Sequence, residues 1–193
     1  MIERFLEYLI KYQDALYVIG GFAAGSIATY FKFYPILKEK ENKQIKFDSN
    51  IFKQSDAVLS EKQINELIGD LESNHSYRSN QDNRLNSFLS FFEDTSNIYE
   101  YKELNCHITT LKKDLEKLQY FYSTHFFIFP DYQTSDNTKF CMYPEGNVDR
   151  NWNGKQESKS NYEEKEEKLL ELCIKTKESY KKYRLEIRKI LKV

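Results

Sequence analysis

Two stretches of this chain repeat seam-forming residues at alternating spacings of four and three. In the first, Leu104, Ile108, Leu111, Leu115, Leu118 and Tyr122 share one helical face, while Lys112, Lys113, Asp114, Glu116 and Lys117 fill the rest. In the second, Leu169, Cys173, Thr176, Tyr180, Tyr183, Ile187 and Ile190 keep the same alternation. This is the seam pattern of a helical bundle or coiled coil. Two such helices in one chain predict an intramolecular antiparallel bundle. Each seam tyrosine needs a partner or water for its hydroxyl, which predicts that Tyr122, Tyr180 and Tyr183 lie near seam edges or ends.

Shorter elements surround the pair. Ser60 followed by Gln63 is a capping-box pair, and Ile64, Leu67, Ile68 and Leu71 then recur at helical spacing, predicting a helix over 61–72. Leu85, Phe88, Leu89 and Phe92 predict another, broken at 94–97. Between the long helices, residues 125–129 (HFFIF) and 139–143 (KFCMY) are short apolar runs, each closed by a proline, Pro130 and Pro144. A polar segment, 131–138, joins them. They predict a small β-hairpin at about 125–144, which needs the helices beneath it because two strands alone are marginal. Residues 145–161 read as a long polar loop carrying Trp152, the single tryptophan.

Against this polar, charged background, residues 15–37 (ALYVIGGFAAGSIATYFKFYPIL) stand apart. Up to Phe31 the segment has no ionisable side chain except two tyrosines, and about 20 such residues cross a hydrocarbon core. Tyr12 and Tyr17 on one side and Tyr30, Phe33 and Tyr34 on the other occupy interfacial positions, and Lys32 can snorkel. Pro35 is expected to end the helix where the bilayer ends. Lys32, Lys38, Lys40, Lys43 and Lys46 follow the segment, against Arg4 and Lys11 before it. The positive-inside rule then predicts a single-pass protein of the cytoplasmic membrane with its C-terminus inside. Gly21 and Gly25 form a GxxxG pair that would let such helices pack closely and self-associate. The domain layout is an N-terminal helix and anchor (1–37), a charged connector (38–59) docked through Ile51, Phe52, Val58 and Leu59, and a cytosolic helical bundle with its hairpin (60–193). The overall class is mainly α.

The formal net charge is −1 over 193 residues, which argues against general nucleic-acid binding. Cys106, Cys141 and Cys173 are odd in number and form no CxxC pair, so neither a disulfide framework nor a zinc motif is expected. No phosphate-cradling loop, dinucleotide fingerprint, nucleophile elbow or zinc-protease motif occurs, and no cofactor or catalytic residue is assigned. The most suggestive polar cluster follows the hairpin: Tyr143, Glu145, Asp149, Arg150 and Trp152. Arginine and large aromatics together can stack on and pair with a base, a phosphate or a peptide. The simpler account makes Trp152 a cap on the bundle and Arg150 a surface ion-pair partner of Glu145 or Asp149.

The chain resembles bacterial proteins built from one N-terminal membrane helix, a charged connector and a helical cytosolic domain, a layout found among accessory and effector proteins of phage defence. The likeness rests on the apolar segment through Leu37, FDSNIF at 47–52, HFFIFP at 125–130 and the terminal YKKYRLEIRKIL. It is one of architecture and transfers no catalytic residue. The expected function is a membrane-anchored, non-enzymatic interaction or effector protein whose cytosolic domain binds a partner protein or small signal. One alternative is a nuclease-like enzyme with an acidic site formed from Asp131, Asp136, Glu145 and Asp149. The other is a soluble helical structural protein with 15–37 buried as core.

Overall fold

The computed structural model of the chain describes residues 13–129, 137–147 and 155–193, with the backbone alone for 13–32, Glu145 and Ser158. The fold is mainly helical, with a small three-stranded antiparallel sheet. Helix α1 (Gln13–Val58) is followed by α2 (Glu61–Asn74), β1 (Ser76–Arg78) and α3 (Ser79–Phe91). After a 3-10 turn at Thr95–Asn97 come α4 (Lys102–His125), β2 (Phe126–Ile128) and β3 (Lys139–Met142). A second 3-10 turn, Pro144–Gly146, precedes α5 (Gln156–Leu191).

Two expectations are corrected in α1. Pro35 does not end the helix but lies inside it, and most of the expected connector is helical as far as Val58. An internal proline costs a helix about 3 kcal/mol. The helix continues past it through a run of good helix formers, with Glu39 and Lys43 paired at 2.8 Å one turn apart. Beyond them Asp48, Ile51, Phe52 and Ser55 form a buried stripe at helical spacing. Side chains of 15–32, including the Gly21 and Gly25 pair, lie outside the described residues, as do Tyr12 and everything before it. Among the described residues no helix is long and apolar enough to cross a membrane.

The chain divides into two units, Met1–Gln44 and Ile45–Val193. In the first, the described residues are helical, and Phe33, Tyr34, Ile36 and Leu37 are between 45% and 65% exposed.

The second unit holds one continuous core. Every α4 seam residue is buried, as are Leu169, Cys173, Thr176, Tyr180, Tyr183 and Ile187 of α5, with Ile190 partly buried. Tyr99 meets Tyr183 and Asp114 meets Lys175, so sequence numbers rise along one helix as they fall along the other. The two helices are therefore antiparallel, as the spacing predicts. Ser60 and Gln63 make the expected reciprocal cap at the start of α2, and Ile64, Leu67, Ile68 and Leu71 are buried. Tyr122 closes the α4 seam, at an end as expected, whereas Tyr183 lies inside the α5 seam, and both are fully buried. Other elements satisfy their hydroxyls: Tyr122 donates to Asp82 Oδ1 at 2.7 Å, and Tyr183 shares a 2.6 Å bond with Tyr99.

The hairpin strands form and pair antiparallel, Phe126 opposite Met142 and Ile128 opposite Phe140. A third strand joins them. β1 pairs with the other edge of β3, Ser76 opposite Cys141 and Arg78 opposite Lys139, giving the order β1-β3-β2. One face packs on the helices through Tyr77, Phe126 and Met142, with Tyr77 stacked on Phe140 at 4.9 Å.

Candidate functional site

A histidine stands at the exit of both helices that lead into the sheet. At the end of α2, His75 takes a left-handed conformation (φ 43°, ψ 45°), which turns the chain into β1. His125 is the last residue of α4 and leads directly into β2. Because β3 runs between β1 and β2, the end of β3 is held from both sides. The N–H of Met142 donates to the His75 carbonyl at 2.9 Å, and the N–H of Tyr143 donates to the His125 carbonyl at 3.2 Å. Tyr143 then adopts its own left-handed conformation (φ 33°), turning the chain into the Pro144–Gly146 helix. Two non-glycine residues with positive φ bracket this corner, a costly arrangement that persists where surrounding contacts over-determine it.

Those contacts are two histidine–tyrosine pairs. His125 Nδ1 lies 3.0 Å from the Tyr143 hydroxyl, and the two rings stack at 5.6 Å. Phe127 adds an edge-on contact to Tyr143. On the other side, His75 Nδ1 is hydrogen-bonded to the Tyr162 hydroxyl from α5, and His75 Nε2 lies 3.4 Å from Glu166 Oε1. Asn147 Nδ2 donates to the same Tyr162 hydroxyl at 3.0 Å. The Tyr162 hydroxyl thus bridges the Asn147 amide and the His75 ring, with Glu166 beside the ring's other nitrogen. A carboxylate, an imidazole and a hydroxyl in a row can hold and pass a proton. Here the hydroxyl belongs to a residue only 8% exposed and is engaged on both sides. The row therefore acts as a brace that fixes residues 142–147 against α5.

Burial pushes the His125 imidazole below its ordinary range, and the positive charge of Lys165 adds to that shift. A histidine whose folded pKa lies below its unfolded value of about 6.5 binds fewer protons when folded, so stability falls as pH drops through that value toward the folded pKa. Proton NMR of the His125 ring is expected to show titration below the usual imidazole midpoint. His125→Gln should flatten the loss of melting temperature between about pH 7 and 5. Titration at or above the ordinary value would contradict the burial assigned to this ring.

Of the residues singled out from sequence, Tyr143 stands in this corner, half-buried against His125 and Phe127. Glu145 follows it in the 3-10 turn, with only its backbone described, and Asp149, Arg150 and Trp152 lie outside the described residues, as do Asp131 and Asp136. Of the brace residues, Asn147, Tyr162 and Glu166 carry no signal in the sequence, and His75, read there as an isolated histidine, is marked only by the repeated junction of helix, histidine and short aromatic-bearing strand, NHSYR and THFFI. The three cysteines are not brought together: Cys106 is exposed on α4, while Cys141 and Cys173 are buried on β3 and α5. Burial pushes the Cys173 thiol up to about 12. Among the described residues no group of three or more His, Cys, Asp or Glu could hold a metal ion.

Two concave surfaces lie elsewhere on the second unit. An open groove of about 630 Å³ between α4 and α5 is walled by Lys113, Lys117, Lys168 and Lys175 with Glu116 and Glu171. Its charges are partly paired within it, as with Lys168 and Glu171 at 2.5 Å. A second pocket, of about 410 Å³, lies between α2 and α5. Comparison of the chain with protein-family models, curated proteins and solved structures finds no match.

Proposed function

We propose that the chain is a membrane-anchored, non-enzymatic interaction or effector protein, of the kind that serves phage defence. In this reading residues 15–37 hold it in the cytoplasmic membrane as a single-pass helix with the C-terminus inside, and Gly21 and Gly25 allow the helices to self-associate. The helical unit binds a partner protein or a small signal. The observation that carries the reading is the exposure of Phe33, Tyr34, Ile36 and Leu37, immediately before Lys38, Lys40, Lys43 and Lys46. Large apolar and aromatic residues left unburied beside a lysine-rich charged run suit a bilayer interface. They do not suit a segment buried as soluble core. The braced corner at 142–147 supports the binding half of the reading, since recognition residues are disproportionately carried on loops held by a rigid scaffold. Tyr143, Glu145, Asp149, Arg150 and Trp152 are the contact surface on this account.

The anchor is tested by fractionation. Full-length protein is expected to stay in the membrane pellet after an alkaline carbonate wash, and a chain lacking residues 1–37 to leave it. Full-length protein recovered monodisperse without detergent would overturn the anchor.

A further inference from the structure

Besides the seam that faces α4, helix α5 carries a second stripe. Glu167, Leu170, Ile174, Glu178, Lys181, Leu185 and Arg188 recur at spacings of three and four, and all of them are exposed. Leu170, Ile174 and Leu185 are 36%, 55% and 53% exposed, and among the described residues they are the large apolar side chains that α5 leaves uncovered. Apolar residues scattered singly over a surface are ordinary, but three on one stripe of one helix form a line that a second helix can cover.

The charges of α5 select the occupant. Residues 156–171 carry six acidic and three basic side chains, whereas residues 177–192 carry two acidic and seven basic. A second α5 laid parallel would set like halves together. Laid antiparallel, it sets each acidic half against a basic one. The stripe itself gives the register. Leu170 and Leu185, Ile174 and Lys181, and Glu167 and Arg188 are pairwise equidistant from the point between Lys177 and Glu178. A two-fold axis through that point puts Leu170 of one copy opposite Leu185 of the other and Ile174 against the aliphatic stem of Lys181. It also brings Glu167 within reach of Arg188, whose side chain is 59% exposed and meets Glu61 only at 3.9 Å. Every contact is then made twice, along about 32 Å of paired helix.

We propose that α5 is a dimerisation helix, its outer stripe packing antiparallel on the same stripe of a second copy of this chain. Leucine and isoleucine supply the covered apolar line, and the opposed charges at its two ends fix orientation and register. The contact is additional to the recognition surface at Tyr143 and does not depend on the membrane anchor.

Cross-linking tests the register. Full-length chain carrying Cys106→Ser, which removes the exposed native thiol, is prepared in detergent as Leu170→Cys and as Leu185→Cys variants, both at exposed positions. A short bis-maleimide is expected to join the mixed variants about tenfold more than either variant alone, because like positions lie about 22 Å apart along the pair. Adding Arg188→Glu to both chains should lower the mixed yield about tenfold, and adding Glu167→Arg as well should restore it. Equal yields from mixed and single variants, no cross-linking at all, or a loss that Glu167→Arg does not reverse would overturn the proposal. A dimer held by Gly21 and Gly25 alone gives no such dependence on register and charge. Failure here therefore leaves the membrane reading standing, and the carbonate wash decides that reading separately.

Discussion

In a Leu115→Asp variant, the cooperative thermal melt and the near-ultraviolet dichroism of the helical unit are expected to be lost at neutral pH. Leu115 is fully buried midway along the α4 seam, within the single core of the unit. A carboxylate placed there has no cation or donor supplied for it. Burying such a charge costs several kcal/mol even after the group shifts its pKa or the helix moves. A domain of ordinary stability has about 5–15 kcal/mol in all. Leu115→Ala is the graded control, with an expected loss of about 2–5 kcal/mol from transfer and cavity terms. A Leu115→Asp chain that melts like the parent would mean that α4 does not bury this face.

Asp48→Ala is expected to destabilise the same unit by about 3 kcal/mol, through loss of two hydrogen bonds and exposure of their donors to an apolar setting. Asp48 is fully buried on α1 and accepts from the backbone N–H of Glu100 at 2.8 Å and of Tyr101 at 3.0 Å. Tyr101 is the residue from which α4 starts, and its own side chain does not cap the helix. A residue 53 positions earlier in the chain thus holds the backbone that enters α4. Burial raises the Asp48 carboxyl above its ordinary range despite the two N–H bonds. The neutral amide of Asp48→Asn keeps an acceptor without the cost of a buried charge, so Asn should cost clearly less than Ala. Chemical denaturation at neutral pH reads both differences. Equal losses for Asn and Ala would show that the N–H bonds contribute little.

The seams were legible because each depends on a single period. Leu104 to Tyr122 and Leu169 to Ile187 bury one stripe each, and nothing outside the helix is needed to read that stripe. The Ser60 and Gln63 cap was legible for the same reason, since both partners lie within four residues. The strands at 126–128 and 139–142 stood out by apolar and aromatic content closed by a proline. What escaped depends on residues far apart in sequence. The end of α1 reads as a connector because two of its four buried positions, Asp48 and Ser55, are polar, and Asp48 makes sense only beside Glu100 and Tyr101. β1 has only three residues in a polar stretch and exists because β3 offers it an edge. Tyr122 and Tyr183 can be fully buried because Asp82 and Tyr99 arrive from other elements. The brace of His75, Tyr162, Asn147 and Glu166 spans most of the unit's sequence, so no local pattern announces it. Of the candidate site, the corner at Tyr143 was legible and its supports were not.

The central claim, a helical unit held on the inner side of a membrane, is tested most directly by the native cysteines. Cys106 is exposed, whereas Cys141 and Cys173 are buried, so Cys106 is the thiol that a maleimide reaches in the folded protein. Cells expressing the full-length chain are converted to spheroplasts and treated with a membrane-impermeant maleimide before or after lysis, and Cys106 is followed by mass spectrometry of the washed membrane fraction. The account predicts that Cys106 is found in that fraction and is labelled only after lysis. Labelling in intact spheroplasts, or recovery of Cys106 in the soluble fraction, would contradict it.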